Sequence, residues 1–352
     1  MACFHPLKGF VTDIKDDGKR VLKVVPYIID HIELRNGVYY PVSVPNVSAY
    51  ADAVVRDFIV LPCGRCAGCR MAYSKQWTAR CMAELQYHNS AAFLTLTYNN
   101  DHLPLSYYGD EKNGEAIKST SLSKRDLQLF IKRLRRHFPD QQLRYFACGE
   151  YGSAEKTFRP HYHLIVFGLN LDDLEFFKKD PRGHIHYTSK SLDKIWSDPK
   201  TKENKGFVDV EEVNDKTCAY VARYTLKKLY GKDAWYYERL NLQPPFLIMS
   251  RKPGIGKKWF DDHKEELLEF PEMIFSTESG GKKFIVPKYF MDKLAIDFPE
   301  ETDRIKENRK LAAEAQIELE LSKTDLDFLE YLAVKEEEFE NRISILKNRN
   351  PE

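Results

Sequence analysis

Arg159-Pro160-His161-Tyr162-His163-Leu164-Ile165-Val166-Phe167-Gly168 is the stretch on which the fold turns. The run from Leu164 to Phe167 is aliphatic, β-branched and aromatic, which predicts a β-strand. Side chains alternate along a strand with a period of two, so His161 and His163 leave one face and Tyr162 the other. Two imidazoles on one face make a ready grip for a divalent metal, because imidazole is a common metal ligand.

Working outward, Leu143 to Cys148, the hexamer Phe93-Leu94-Thr95-Leu96-Thr97-Tyr98 and the run Phe207 to Val213 read as further strands. Trp77, Cys81 and Leu85 recur at helical spacing between charged residues, predicting an amphipathic helix over 70–88. Ser123 caps a second helix over 123–138, with Leu127, Phe130, Ile131, Leu134 and Phe138 on one stripe. Asp215 is the expected cap of a third, which ends at Gly231. Strands and helices interleaved in this way indicate an α+β fold, with helices against a central, largely antiparallel sheet. Ahead of it, His31 to Arg35 and Val38 to Val42 flank Asn36-Gly37, the signature of a two-residue hairpin. The chain therefore divides into a β-rich lead-in (1–62), a core (63–235), a loop-rich extension (236–299) and an acidic helical tail (300–352).

At 352 residues and 43% hydrophobic content the chain can bury a proper core. No run approaches the roughly 18 apolar residues of a membrane span, and no basic-then-apolar signal opens it, so a cytoplasmic protein is expected. The net charge of +1 conceals an asymmetry: residues 300–352 carry nine Lys/Arg against fifteen Asp/Glu, leaving 45 against 38 in the rest. Such a body suits a polyanionic partner. Three of the seven cysteines cluster as Cys63-Gly64-Arg65-Cys66-Ala67-Gly68-Cys69. They are either ligands of a structural Zn²⁺, with Cys81 on the following helix as a candidate fourth, or reduced thiols.

A hard ion such as Mg²⁺ or Mn²⁺ on two imidazoles also wants an oxygen ligand. Glu150, at the end of the preceding strand, is the candidate, with Glu155 in the following loop as the alternative. A second His-x-His, His184-Ile185-His186, follows Pro181-Arg182-Gly183 and is assigned to a loop or an edge strand. Tyr220 and Tyr224, four apart, share one helix face, and Lys227 and Lys228 follow by a turn. An ammonium there lowers the cost of forming a phenolate, whose reference pKa is about 10. Tyrosine attack on phosphorus would leave a 5′-phosphotyrosine and a free 3′-hydroxyl, and two tyrosines allow two successive strand transfers. The bland alternative for the pair is two aromatic core residues. Lys132, Arg133, Arg135 and Arg136, with Lys228, are candidate phosphate contacts.

Taken in order, Phe93 to Tyr98, Gly149-Glu150-Tyr151-Gly152 with Arg159 to His163, and Tyr220 to Lys228 resemble the three motifs of the rolling-circle replication initiators called HUH endonucleases. The two-tyrosine helix and the Pro62-Cys63-Gly64-Arg65-Cys66 entry are most similar to the replication proteins of gokushovirus-type microviruses, small single-stranded DNA phages. That resemblance implies an RRM- or palm-like sheet carrying the histidines, Mg²⁺ or Mn²⁺, nicking of single-stranded origin DNA, and a host helicase and polymerase as partners. A Walker-A loop needs Gly-x-x-x-x-Gly-Lys-Ser/Thr, and neither Gly254-Ile255-Gly256-Lys257-Lys258 nor Gly280-Gly281-Lys282-Lys283 supplies it. Two rivals stand beside this reading. One is a non-catalytic, zinc-dependent nucleic-acid-binding protein whose cysteines and histidines are structural. The other is a plasmid-type relaxase, which usually has three clustered histidines and an N-proximal tyrosine, neither present here.

Overall fold

The computed structural model describes residues 3–16, 18–109, 114–152, 158–181, 183–223, 234–277 and 280–349, with side chains followed to residue 342. Two compact units emerge, Met1–Ala72 with Ala312–Glu352, and Tyr73–Leu311.

The first unit opens with β1 (Leu7–Ile14), β2 (Arg20–Pro26), β3 (His31–Arg35), β4 (Val38–Val42), β5 (Ala53–Val55) and β6 (Phe58–Leu61). They form two three-stranded sheets, ordered β2-β1-β6 and β4-β3-β5. The β3–β4 hairpin closes Arg35 on Val38, with Asn36 at φ 51° and Gly37 at φ 75°. Positive φ at both turn residues is what a type I′ turn requires, and why Asn-Gly signals one. Phe10, Val25 and Ile32 fill the small core. Cys3, Cys63, Cys66 and Cys69 gather at the entry to α1 (Ala67–Leu85), every Sγ within 4.8 Å of the others. The expectation that Cys81 would be their fourth partner is corrected. Twelve residues of helix separate it from Cys69, about 18 Å of rise, and it lies fully buried in the core of the second unit.

The second unit is built on β7 (Ala91–Leu96), the β8 (Leu105–Gly109) and β9 (Ala116–Thr120) hairpin, α2 (Lys124–His137), β10 (Arg144–Tyr151) and β11 (Pro160–Phe167). It continues through β12 (Leu174–Lys179), β13 (Ile185–Ser189), α3 (Lys190–Ile195), β14 (Val208–Glu212), α4 (Asp215–Arg223), α5 (Trp235–Arg239) and β15 (Phe246–Met249). Seven of these strands make one antiparallel sheet, ordered β12-β13-β14-β7-β11-β10-β15, so the α+β architecture read from the sequence is the one observed. The histidine strand β11 lies inside it, between β7 and β10. Its even-numbered residues Tyr162, Leu164 and Val166 pack with Leu127, Phe130, Ile131 and Leu134 of α2. Ile165 and Phe167 pack on the other face with Trp77 and Met82 of α1 and Cys218, Val221 and Ala222 of α4. Period-two alternation thus sends the histidines to the α4 side and leaves α2 behind the sheet.

Ser123 caps α2 as expected, its hydroxyl accepting from the Asp126 amide at 3.2 Å. The cap of α4 is Asn214 rather than Asp215. The Asn214 Oδ1 accepts from the amides of Lys216 (2.9 Å) and Thr217 (3.0 Å), the donors a cap must satisfy. The Asp215 carboxylate instead meets Lys282 Nζ at 3.0 Å. The expected end of this helix at Gly231 lies outside the described residues.

After β15 come α6 (Lys257–His263), α7 (Glu266–Glu269), the β16 (Glu272–Thr277) and β17 (Gly280–Ile285) hairpin and α8 (Lys288–Asp297). The acidic tail is helical, as α9 (Pro299–Leu321) and α10 (Phe328–Arg349). From Ala312 it groups with the N-terminal strands in the first unit, where Phe339 packs on Phe4 (5.5 Å between ring centres) and Phe328 on Tyr27 (5.2 Å). Among the described residues, no helix is long and apolar enough to cross a membrane.

Candidate metal centre and tyrosine helix

Antiparallel register brings the candidate ligands together. Glu150 on β10 stands directly opposite His161 on β11, and Cys148 opposite His163. Glu150 Oε1 lies 2.6 Å from His161 Nε2 and 3.3 Å from His163 Nε2. The other imidazole nitrogens also have partners. His161 Nδ1 donates to the Arg159 carbonyl (3.1 Å), and His163 Nδ1 lies 3.0 Å from the Thr95 hydroxyl on β7. Holding Nδ1 this way orients each ring so that Nε2 faces the carboxylate, the arrangement outer partners impose on ligating histidines. Glu150 is 2% and His163 4% exposed. Burial raises the Glu150 carboxyl, but hydrogen bonds from His161 and His163, and their charge, outweigh it and hold it at about 2. A carboxylate kept ionised between two imidazoles is a donor set that fits one divalent cation, whose other positions stay open to oxygen ligands.

The tyrosine helix covers this group. Cys218, Val221 and Ala222 bury one side of α4 against the sheet, which places half-buried Tyr220 over the histidines. Its ring centre is 5.3 Å from that of His163 at an interplanar angle of 84°, and 5.9 Å from Phe93, also edge-on. The Arg223 guanidinium lies 5.8 Å from the same ring. Tyr224, Lys227 and Lys228, and the alternative ligand Glu155, lie outside the described residues.

The α2 cations are placed differently from expectation. With its apolar stripe on the face opposite the histidines, α2 holds Lys132, Arg133, Arg135 and Arg136 on the far side of the sheet from Glu150. Arg133 is half-buried, and desolvation lowers its pKa. Arg135 does line a cleft of about 960 Å³ beside the edge strand β15, together with Lys124, Arg144, Arg251, Lys252 and Lys258. Tyr145, in the same wall, is five residues from Glu150, about 17 Å along β10.

A third group went unread. His186 Nδ1 lies 2.7 Å from Asp209 Oδ2 and 3.9 Å from Glu211 Oε1. Asp209 pairs with Thr95, which pairs with His163, so this trio shares the histidine face two strands away. The signal was in Val208-Asp209-Val210-Glu211, where apolar and acidic residues alternate. His186 sits on β13, one strand in from the edge, as its assignment to a loop or edge strand allowed only in part.

Residues 91–229 match the family model described as replication-associated protein ORF2, a span holding the histidine group and α4. Replication-associated protein ORF2 of Spiroplasma virus 4 is 33% identical over 354 residues, covering 98% of this chain and 97% of that protein. Replication-associated protein VP4 of Bdellovibrio phage phiMH2K is 29% identical, covering 76% and 77%. Replication-associated protein ORF4 of Chlamydia phage 1 is 28% identical, covering 66% and 53%. No solved structure matches. An antiparallel sheet with this site, matched over this span, defines the class as a replication-associated protein. The chain belongs to the family of microvirus replication-associated proteins to which the Spiroplasma virus 4 protein also belongs.

Proposed function

We propose that the protein initiates rolling-circle replication by cutting single-stranded origin DNA with a tyrosine. The observation that carries this is the Tyr220 ring standing 5.3 Å from that of His163, so one phosphate can touch both the phenol and a cation held by His161, His163 and Glu150. Mg²⁺ or Mn²⁺ bound there would polarise a non-bridging phosphate oxygen. The phenol oxygen of Tyr220 bonds to phosphorus as the bond to the 3′-oxygen breaks. The phenolic proton passes to solvent and the leaving oxygen takes one up, giving a 5′-phosphotyrosine and a 3′-hydroxyl. One ester replaces another, so the link keeps the energy needed for rejoining. Tyr224 serves as the second nucleophile, and Lys227 stabilises phenolate and transition-state charge. The basic cleft beside β15 grips the DNA backbone, and the host supplies helicase and polymerase in its cytoplasm.

Incubation of the full chain with Mn²⁺ and an origin-like oligonucleotide, followed by peptide mapping, should give an adduct on Tyr220 or Tyr224. It should vanish in Tyr220→Phe/Tyr224→Phe and in His161→Ala/His163→Ala. Cutting that persists in the double Phe variant without an adduct would indicate a water nucleophile and defeat the reading.

A further inference from the structure

Four cysteines that the cleavage chemistry does not use converge at the start of α1. Cys3 Sγ lies 3.9 Å from Cys66 Sγ, and Cys63 Sγ 4.0 Å from Cys69 Sγ. All four sulfurs fall within 4.8 Å of one another. A tetrahedral ion with metal–sulfur bonds of about 2.3 Å sets its thiolates about 3.8 Å apart, and the observed spacings lie close to that. Disulfide sulfurs sit near 2.05 Å, far shorter than these. An iron–sulfur cube would push the thiolates further apart, because its metal atoms stand between them.

The backbone is shaped for thiolates. Gly64 takes φ 72°, a left-handed conformation that glycine adopts without strain, and folds Cys63-Gly64-Arg65-Cys66 into a tight turn. That turn aims the amides of Arg65 (3.4 Å) and Cys66 (3.3 Å) at Cys63 Sγ. Phe4 N (3.4 Å) and Cys69 N (3.5 Å) approach Cys66 Sγ, and Cys63 N lies 3.2 Å from Cys3 Sγ. Amides aimed at sulfur offset the surplus negative charge that four thiolates leave on a divalent ion. Cys69, in the first turn of α1, also gains from the positive end of the helix dipole.

We infer that Cys3, Cys63, Cys66 and Cys69 hold one structural Zn²⁺ that fastens the N-terminal segment to the head of α1. The site closes a loop of 60 residues between Cys3 and Cys63, which the first unit's small core, of three buried apolar residues, would otherwise have to hold. The ion is structural rather than catalytic because all four positions are filled by protein thiolates. The inference does not depend on the cleavage reading.

Full-length protein purified under reducing conditions, without added metal, should carry one zinc per chain by elemental analysis and native mass spectrometry. Exchange with Co²⁺ should give the thiolate charge-transfer band and intense visible bands of a four-thiolate tetrahedral site. Losing an outer partner of a ligand costs about 10–100-fold in metal affinity, so Cys3→Ser, which removes a ligand, should cost more. Cys81→Ala and His161→Ala/His163→Ala should keep the zinc. Should Cys3→Ser fail to fold, the cobalt spectrum of the unaltered chain, with alkylation of these four thiols only after chelation, still decides the matter. Absent metal, bound iron, a disulfide among the four, or zinc unaffected by Cys3→Ser would overturn the inference.

Discussion

At the scale of single residues, Glu150 concentrates the electrostatics of the candidate centre. Its ordinary carboxyl value, 4.5, falls to about 2 in the folded protein. A lowered folded value means that Glu150 stabilises the fold fully above the unfolded value and loses that contribution as pH falls toward 2. Urea unfolding of the unaltered chain and of Glu150→Gln in chelator should therefore differ by on the order of 3 kcal/mol at about pH 5. The gap should close near pH 2, and a gap independent of pH would contradict the assignment. Because both proteins share the cysteine site, acid effects there cancel in the comparison. The ligand triad was legible from two local signals, the His-x-His alternation and an acid ending the preceding strand. The partner of the other His-x-His was not, because Asp209 and Glu211 reach His186 only through strand pairing.

At the scale of elements, α4 decides whether a tyrosine meets the histidines, and its first turn depends on Asn214. Replacing a cap of this kind costs about 1 kcal/mol. Asn214→Ala should lower stability by that amount in urea titration, and should reduce adduct yield more than it disturbs DNA binding, since Tyr220 rides on this helix. Equal losses in both assays would place α4 in DNA binding instead. Asp215 looked like the cap because an acid opening a helix is a common signal, but only φ/ψ and donor geometry separate a cap from the residue after it. On α2, the apolar stripe was correct while the use assigned to its cations was not. The stripe says which side of the helix is buried, yet nothing local says which face of the sheet it is buried against.

At the scale of the molecule, the basic excess over 1–299 has a location in the cleft beside β15, where six cations line one wall. If the cleft holds single-stranded DNA, binding should weaken linearly on a log–log plot against salt, and Arg251→Ala/Lys252→Ala should flatten the slope by about 0.7 per lost phosphate contact. Fluorescence anisotropy with a labelled oligonucleotide over a salt series reads this directly. An unchanged slope would move the DNA path elsewhere, and Lys132→Ala/Arg136→Ala on the far face serves as the control expected to change little.

The chain by itself determined what depends on short-range periodicity: the strand faces of His161 and His163, the Asn36-Gly37 turn, the stripe and cap of α2, and the α+β class. Those follow from side-chain alternation and turn sterics within a few residues. Tertiary structure alone decided that Cys3 completes the thiol cluster, that α2 and α4 take opposite faces, that His186 joins two acids, and that the acidic tail groups with the N-terminal strands. The sheet order β12-β13-β14-β7-β11-β10-β15 does not follow chain order. Neighbours across such a sheet are chosen by burial of complementary faces over long separations, and that choice leaves no mark in local sequence.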